Sequence, residues 1–168
     1  MANPAWTSQF DKDNAPNAGP TACFRACRVI CGRLGFAMPE GTIQRWQLAT
    51  AEDELGNIVG YNKTESDEAN NYLRSGGVAI VGINYKVGSL NRDHITDHYV
   101  VAYRYVPDTG ILAALNPGSP LPADNDHNYE FTWDSDRYCW QRWDGSHRIT
   151  IAMVVPPVDV AARLMERT

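Results

Sequence analysis

The chain has 168 residues, enough for one domain with a sizeable core, and its 43% apolar and 21% charged residues are those of an ordinary globular protein. A net charge of −5 with no basic run argues against nucleic acid as a partner, because neutralising phosphates needs clustered Lys and Arg. No stretch approaches the ~20 apolar residues of a membrane span, and Met1 to Phe10 has neither the basic nor the apolar region of a secretory signal. The sequence therefore predicts synthesis in the cytoplasm and, for any role outside the cell, delivery by a dedicated secretion machine.

The first segment, to about Asn17, is polar and turn-rich. A helix is expected from Thr21 to Leu34, with Pro20 near the first helical position, where its missing N–H costs nothing. Ala22, Cys23, Ala26, Cys27, Ile30 and Leu34 supply the i, i+3/i+4 apolar face, and Gly35 ends it. Ala37 to Asn62 reads as loop with one short helix around Thr42 to Ala49. Ser66 is placed to cap a helix running to Arg74, stopped by Gly76-Gly77. Strands then follow at Val78–Tyr85, His98–Tyr105 and Ile111–Leu115, with turns at Pro107–Gly110 and Asn116-Pro117-Gly118. Further strands are expected at Tyr129–Trp133 and Arg148–Val155, the last ended by Pro156-Pro157, and Val158 to Arg167 reads as a closing helix. Helices come first and an antiparallel meander of four or five strands follows. This predicts a single α+β domain over 1–168 with helices grouped on one side of a sheet.

Cys23, Cys27 and Cys31 fall at i, i+4 and i+8 of the first helix. Side chains at that spacing run alongside each other and do not reach disulfide geometry. There is no C-x-x-C pair and no histidine close by, so no metal site is expected from them. They read as small buried residues on an inner face.

Three boundary segments carry the candidate chemistry: Asn17-Ala18-Gly19-Pro20-Thr21-Ala22 at the start of the long helix, Thr96-Asp97-His98-Tyr99-Val100-Val101 at the head of a strand, and Leu115-Asn116-Pro117-Gly118 at the end of the next. A thiol hydrolase is assembled from such parts. A cysteine at a helix N-terminus sees the positive end of the helix dipole, and its backbone N–H helps form an oxyanion hole. A histidine on a neighbouring strand deprotonates it, and a side-chain oxygen on the adjacent strand holds the imidazole. The hairpin from His98 to Asn116 is expected to set those two residues side by side.

The first segment resembles the Cys-Gly-Pro-Thr/Ala-Ala signature of papain-like peptidases related to the leader-cleaving domains of bacteriocin exporters. The Asp-His-Tyr-Val-Val-Ala and Leu-Asn-Pro-Gly segments resemble their histidine and Asp-Pro or Asn-Pro motifs. The resemblance implies a papain-like α+β fold, with an N-terminal helix carrying the nucleophile position packed on an antiparallel sheet of four to six strands. It implies catalytic positions at Ala18, His98 and Asn116. Ala18 departs from the pattern, because the nucleophile of the family stands there. It is either an engineered Cys→Ala change or the mark of a natural pseudoenzyme, and the retention of His98 and Asn116 favours the first. Cys23 lies more than a turn further on, inside the helix, and is a poor substitute. Papain-like enzymes commonly carry an oxyanion glutamine about six residues before the cysteine; position 12 is Lys, so Asn14 is the expected donor, with Asn17 and Gln9 as alternatives.

The chemistry so implied is cleavage of an amide bond with no cofactor and no metal. Asp93 and Asp97 near His94 and His98 suggest a metal cluster, but neighbouring strand residues point to opposite faces. By size and resemblance the chain is similar to amidase effectors delivered by type VI secretion, whose substrate is the peptide stem of peptidoglycan and whose partner is an immunity protein. The alternatives are a protease or acyltransferase acting on a protein, and a catalytically dead module that holds a peptide. Trp133, Trp140, Trp143 and Tyr138 are expected to pack the core, or to form a platform beside the cleft.

Overall fold

In the computed structural model, residues 2–11, 13, 21–54, 57–84, 96–145 and 147–165 are described. The elements in chain order are α1 (Ala22–Arg33), β1 (Trp46–Gln47), β2 (Ala49–Glu52), β3 (Ile58–Tyr61), α2 (Lys63–Arg74), β4 (Ala79–Asn84), β5 (His98–Val106), β6 (Ile111–Leu115), β7 (Tyr129–Asp134), β8 (Cys139–Asp144), β9 (His147–Val155) and α3 (Val158–Met165).

Strands β4 to β9 pair in the order β9-β4-β5-β6-β7-β8, every pairing is antiparallel, and β8 pairs with β9 as well as with β7. That last pairing closes the sheet into a six-stranded barrel, with β1 added to the outside of β9. The papain-like α+β expectation of an open sheet with helices grouped on one side is thereby overturned: the protein is mostly β, with three short helices among the described residues around a barrel. The reason is β8. Its residues, Cys139-Trp-Gln-Arg-Trp-Asp144, read as an aromatic cluster in sequence, yet they alternate as a strand and bridge two partners, which removes both free sheet edges.

One apolar cluster draws on all six barrel strands, from Val81 and Ile83 through Val100, Leu112, Phe131 and Trp140 to Ile149 and Ile151, and so marks the barrel interior. Ala69 and Leu73 of α2 belong to the same cluster, and the Trp140 indole donates to Asn70 Oδ1 of that helix at 2.7 Å. Helix α2 thus covers the end of the barrel where β8 begins. A second cluster lies on the outer face, where Phe24, Cys27, Ile30 and Cys31 of α1 pack on Ile80, Val101, Leu115, Met153 and Val155. With α1 outside and the barrel inside, every residue of β4 is buried, which explains why this antiparallel strand reads as a continuous apolar run.

Two local expectations fail. The helix expected around Thr42–Ala49 is replaced by β1 and the start of β2, because Trp46 pairs with Val154 and Leu48 N–H donates to Ala152 O. Tertiary pairing overrides a weak helical preference there. Helix α2 starts at Lys63, capped by Asn62 Oδ1 accepting from Glu65 N–H at 3.1 Å, and Ser66 lies buried a turn inside it. The helix over Thr21–Leu34 is observed as α1, and the stop at Gly76-Gly77 is observed just past α2.

Leu73 is fully buried where α2 meets the barrel interior. Leu73→Ala is expected to lower the unfolding free energy by about 2–5 kcal/mol, measured by urea denaturation; a loss below about 1 kcal/mol would show that α2 is not an integral cover of the barrel end.

Candidate functional site

The register places one end of every barrel strand at a common rim. Ile83 pairs with His98, Ala114 with Tyr129, and Asp144 with His147, so the start of β5, the end of β6, the start of β7 and the β8–β9 turn lie at the end opposite α2. By strand alternation His98 shares the face of Val100 and Ala102, and Asn116 continues the face of Leu112 and Ala114, all members of the interior cluster. His98 and Asn116 therefore sit at the mouth of the barrel. The expected juxtaposition is present: His98 Nε2 lies 2.8 Å from Asn116 Oδ1.

The neighbours of Asn116 fix which way its amide faces. Gly118 N–H donates to Oδ1 at 2.9 Å, and Nδ2 donates to Ser119 Oγ at 3.3 Å. Only an oxygen can accept from Gly118, so the atom facing His98 is the carbonyl oxygen. His98 must then donate from Nε2, which leaves Nδ1 as its basic nitrogen. This is the orienting arrangement of a general base, with the tautomer set by the hydrogen bond at the other ring nitrogen. Burial pulls the His98 imidazole below the ordinary histidine range, and the Asn116 hydrogen bond opposes this in part. An imidazole shifted in this direction stays neutral to lower pH than a free histidine.

The backbone of Asn116 is held as closely as its side chain. Asn128 Oδ1 accepts from Asn116 N–H at 2.7 Å, and Asn128 Nδ2 donates to the carbonyls of Asn116 (3.0 Å) and Ser119 (3.1 Å). The Trp6 indole donates to Asn116 O at 2.8 Å, and Gln9 N–H donates to Pro117 O at 3.0 Å. These bonds bring the irregular N-terminal segment to the rim. A Cβ on Gly118 would lie 3.2 Å from Asn116 Oδ1, 3.3 Å from Gln9 Oε1 and 3.3 Å from His98 Cε1. Gln9, His98 and Asn116 thus meet around a position where only glycine fits without displacement.

Of the residues expected at the site, Ala18, Asn14 and Asn17 lie outside the described residues, as do Asp93 and His94. Gln9, one of the two alternatives to Asn14 as amide donor, is beside the pair, and its Oε1 is buried without a hydrogen-bond partner among the described residues. Helix α1 brings its first turn to the same region, with Phe24 edge-on to Tyr99 at 5.0 Å. Cys23 faces the Tyr99 backbone, but burial pushes its thiol up, away from the reactive thiolate. Cys27 and Cys31 are buried on the inner side of α1 and all four cysteines are free; burial raises the Cys31 thiol to about 12. Trp133, Tyr138 and Trp140 stack edge-to-face at 5.1 and 5.5 Å near the β7–β8 turn, beneath the Arg74 guanidinium of α2. They lie at the far end of the barrel, so the platform beside the cleft is not found, and Trp143 stands apart from them, half exposed.

No family model, curated protein or solved structure matches this chain. The site therefore rests on its own geometry. Sequence reasoning missed Asn128 and Trp6. Asn128 lies in a polar turn whose composition suggests only a loop, and its role appears only once β6 and β7 are paired. Trp6 precedes any regular element. Among the described residues no helix is long and apolar enough to cross a membrane.

Two outcomes follow for the chain as it stands. In a proton and nitrogen NMR titration, His98 is expected to hold the Nε2–H tautomer and to titrate below the ~6.5 of a free histidine. Because the folded value is depressed, the unfolded state binds more protons, and stability falls as pH drops through the ordinary histidine range. A midpoint above that value would show that burial does not dominate at His98, and an Nδ1–H tautomer would overturn the orientation drawn here. Asn128→Asp keeps the acceptor for Asn116 N–H but sets a carboxylate against two carbonyls. It is expected to cost about 1–3 kcal/mol and to mix the His98 tautomers; an unchanged Nε2–H signature would show that Asn128 does not position the pair.

Proposed function

We propose that this chain is the framework of a thiol hydrolase acting on an amide bond, with His98 as base and acid, Asn116 as its orienting partner and position 18 as the seat of the nucleophile. The observation that carries the proposal is the His98–Asn116 pair with its amide oxygen fixed by Gly118 N–H. A side chain that does no more than fill the barrel mouth has no need of a defined tautomer. The motif around position 18 adds to it.

With cysteine at position 18, His98 Nδ1 takes the thiol proton as sulfur bonds to the amide carbon. The imidazolium then gives that proton to the leaving nitrogen as the carbon–nitrogen bond breaks. Water attacks the thioester, its proton passing to Nδ1, and the carbon–sulfur bond breaks to release the acid and return the proton to sulfur. Gln9, whose side-chain amide approaches Gly118 beside the pair, is the donor we assign to the developing oxyanion, in place of Asn14. Alanine cannot start this sequence. A chain with alanine there would hold a ligand without cutting it, which is the second reading, a peptide-binding module.

The substrate we assign is a peptide stem of peptidoglycan, on the analogy of chain size alone now that the fold analogy is overturned, with an immunity protein as the corresponding partner. Ala18→Cys tests the chemistry first. Its thiol is expected to be alkylated by iodoacetamide near pH 6–7, more than about tenfold faster than the ~8.5 value of a free cysteine would allow, and His98→Ala in the same background is expected to abolish the advantage. An unreactive thiol would sink the hydrolase and leave the binding module. Peptidoglycan fragments incubated with the cysteine form and read by mass spectrometry then test the substrate; intact stems would exclude it.

A further inference from the structure

The loop between β6 and β7 and the rim end of β8 line a cavity of about 320 Å³ at the same rim, bordered in part by Pro120, Pro122, His127, Asn128, Glu130 and Arg142. Asn128 is shared: the residue that holds the Asn116 backbone also lines this cavity. The cavity therefore stands one residue away from the His98–Asn116 pair.

Its polar groups are unevenly matched. Arg142 lies on the same strand face as Trp140, two residues nearer the rim, and its guanidinium is stacked over the Tyr129 ring at 3.8 Å. Its Nε is buried and has no hydrogen-bond partner among the described residues. Stacking uses the flat face of a guanidinium and leaves its N–H donors pointing outward in the plane, where a carboxylate docks. Glu130 is the one carboxylate lining the cavity, and its Oε2 is taken by His127 Nε2 at 3.2 Å. Asp126, at the other side of the loop, is paired with Arg104 at 2.9 Å. His127 Nδ1, the acceptor nitrogen of a ring whose Nε2 faces Glu130, is also buried there without a partner among the described residues. A half-buried cation with an unmatched donor in this cavity calls for a ligand that supplies an acceptor.

We infer that this cavity is a subsite for a carboxylate, read by Arg142 with His127 beside it, and that the ligand of the rim is a peptide bearing a free carboxylate close to the amide presented to His98. Its role as a substrate subsite rests on the hydrolase proposal; its capacity to bind a carboxylate does not. One carboxylate oxygen accepts from Arg142 Nε.

The test uses the chain with alanine at position 18, which performs no chemistry. N-acetyl-glutamate and its neutral isostere N-acetyl-glutamine are titrated into isotopically labelled protein while the Arg142 Nε–H and His127 ring signals are followed. The expected result is a saturable shift at both residues with the acid, and binding at least about tenfold weaker with the amide. Arg142→Gln is expected to remove the saturable shift at His127, with the Trp140 indole signal confirming an intact fold, and Arg142→Lys to restore it only in part. Equal affinity for acid and amide, no saturable shift, or binding that survives Arg142→Gln would overturn the subsite. None of these outcomes depends on thiol reactivity, so a failed hydrolase and a failed subsite remain distinguishable. If both stand, Arg142→Gln in the Ala18→Cys form is expected to raise KM for an acidic peptide about tenfold or more while kcat changes less than about threefold.

Discussion

The pairing of β8 with both β7 and β9 is the constraint on which the rest of the molecule depends. A meander of five strands would leave two open edges and a sheet free to twist, and its strand ends would diverge. Closure forces the ends of six strands into one ring. His98, Asn116, Tyr129 and Arg142 come from four different strands or their ends, separated by up to 44 positions in sequence, yet share one rim because of it. The interior cluster makes closure favourable. Phe131, Trp140 and Leu112 are fully buried there, each worth roughly 1.5–3 kcal/mol or more in burial.

Polar satisfaction at the rim then refines what closure makes possible. Asn116 uses its backbone N–H, its backbone carbonyl and both ends of its side-chain amide. Such a residue has few alternative conformations, and the imidazole it faces inherits that order. The low local dielectric strengthens each bond and makes each missing one costly, so the network behaves as a unit. Trp6 and Gln9 show how an irregular segment is recruited: it makes no strand, but its donors meet the two carbonyls that β6 leaves unpaired at its end.

Much of this was legible in the sequence, and the pattern of failure is physical. Strands β4, β5, β6 and β9 announce themselves by apolar and β-branched runs because both their faces are covered. The closeness of His98 and Asn116 follows from hairpin arithmetic, which is local. β8 was not legible, because Gln141, Arg142 and Asp144 dilute its apolar signal and its inward face carries an arginine. The barrel followed from that one strand, so the papain-like layering could not survive its discovery. β1 and β2 were misread because two- and four-residue strands have no periodicity of their own and exist only through β9 and β3. Asn128 and Trp6 contribute through long-range contacts that no spacing rule encodes.

The covering of the far end by α2 has a further consequence. Among the described residues the barrel is filled by side chains and covered by α2 on that side. A ligand that reaches His98 by the mouth leaves by the same way. In a hydrolase this makes traffic sequential: the departing amine has to clear the approach before water can take its place, and the acid must leave before the next chain enters. A carboxylate anchored beside Arg142 would hold one end of the ligand throughout that exchange, and the pace of turnover would then be set by how readily the rim lets go.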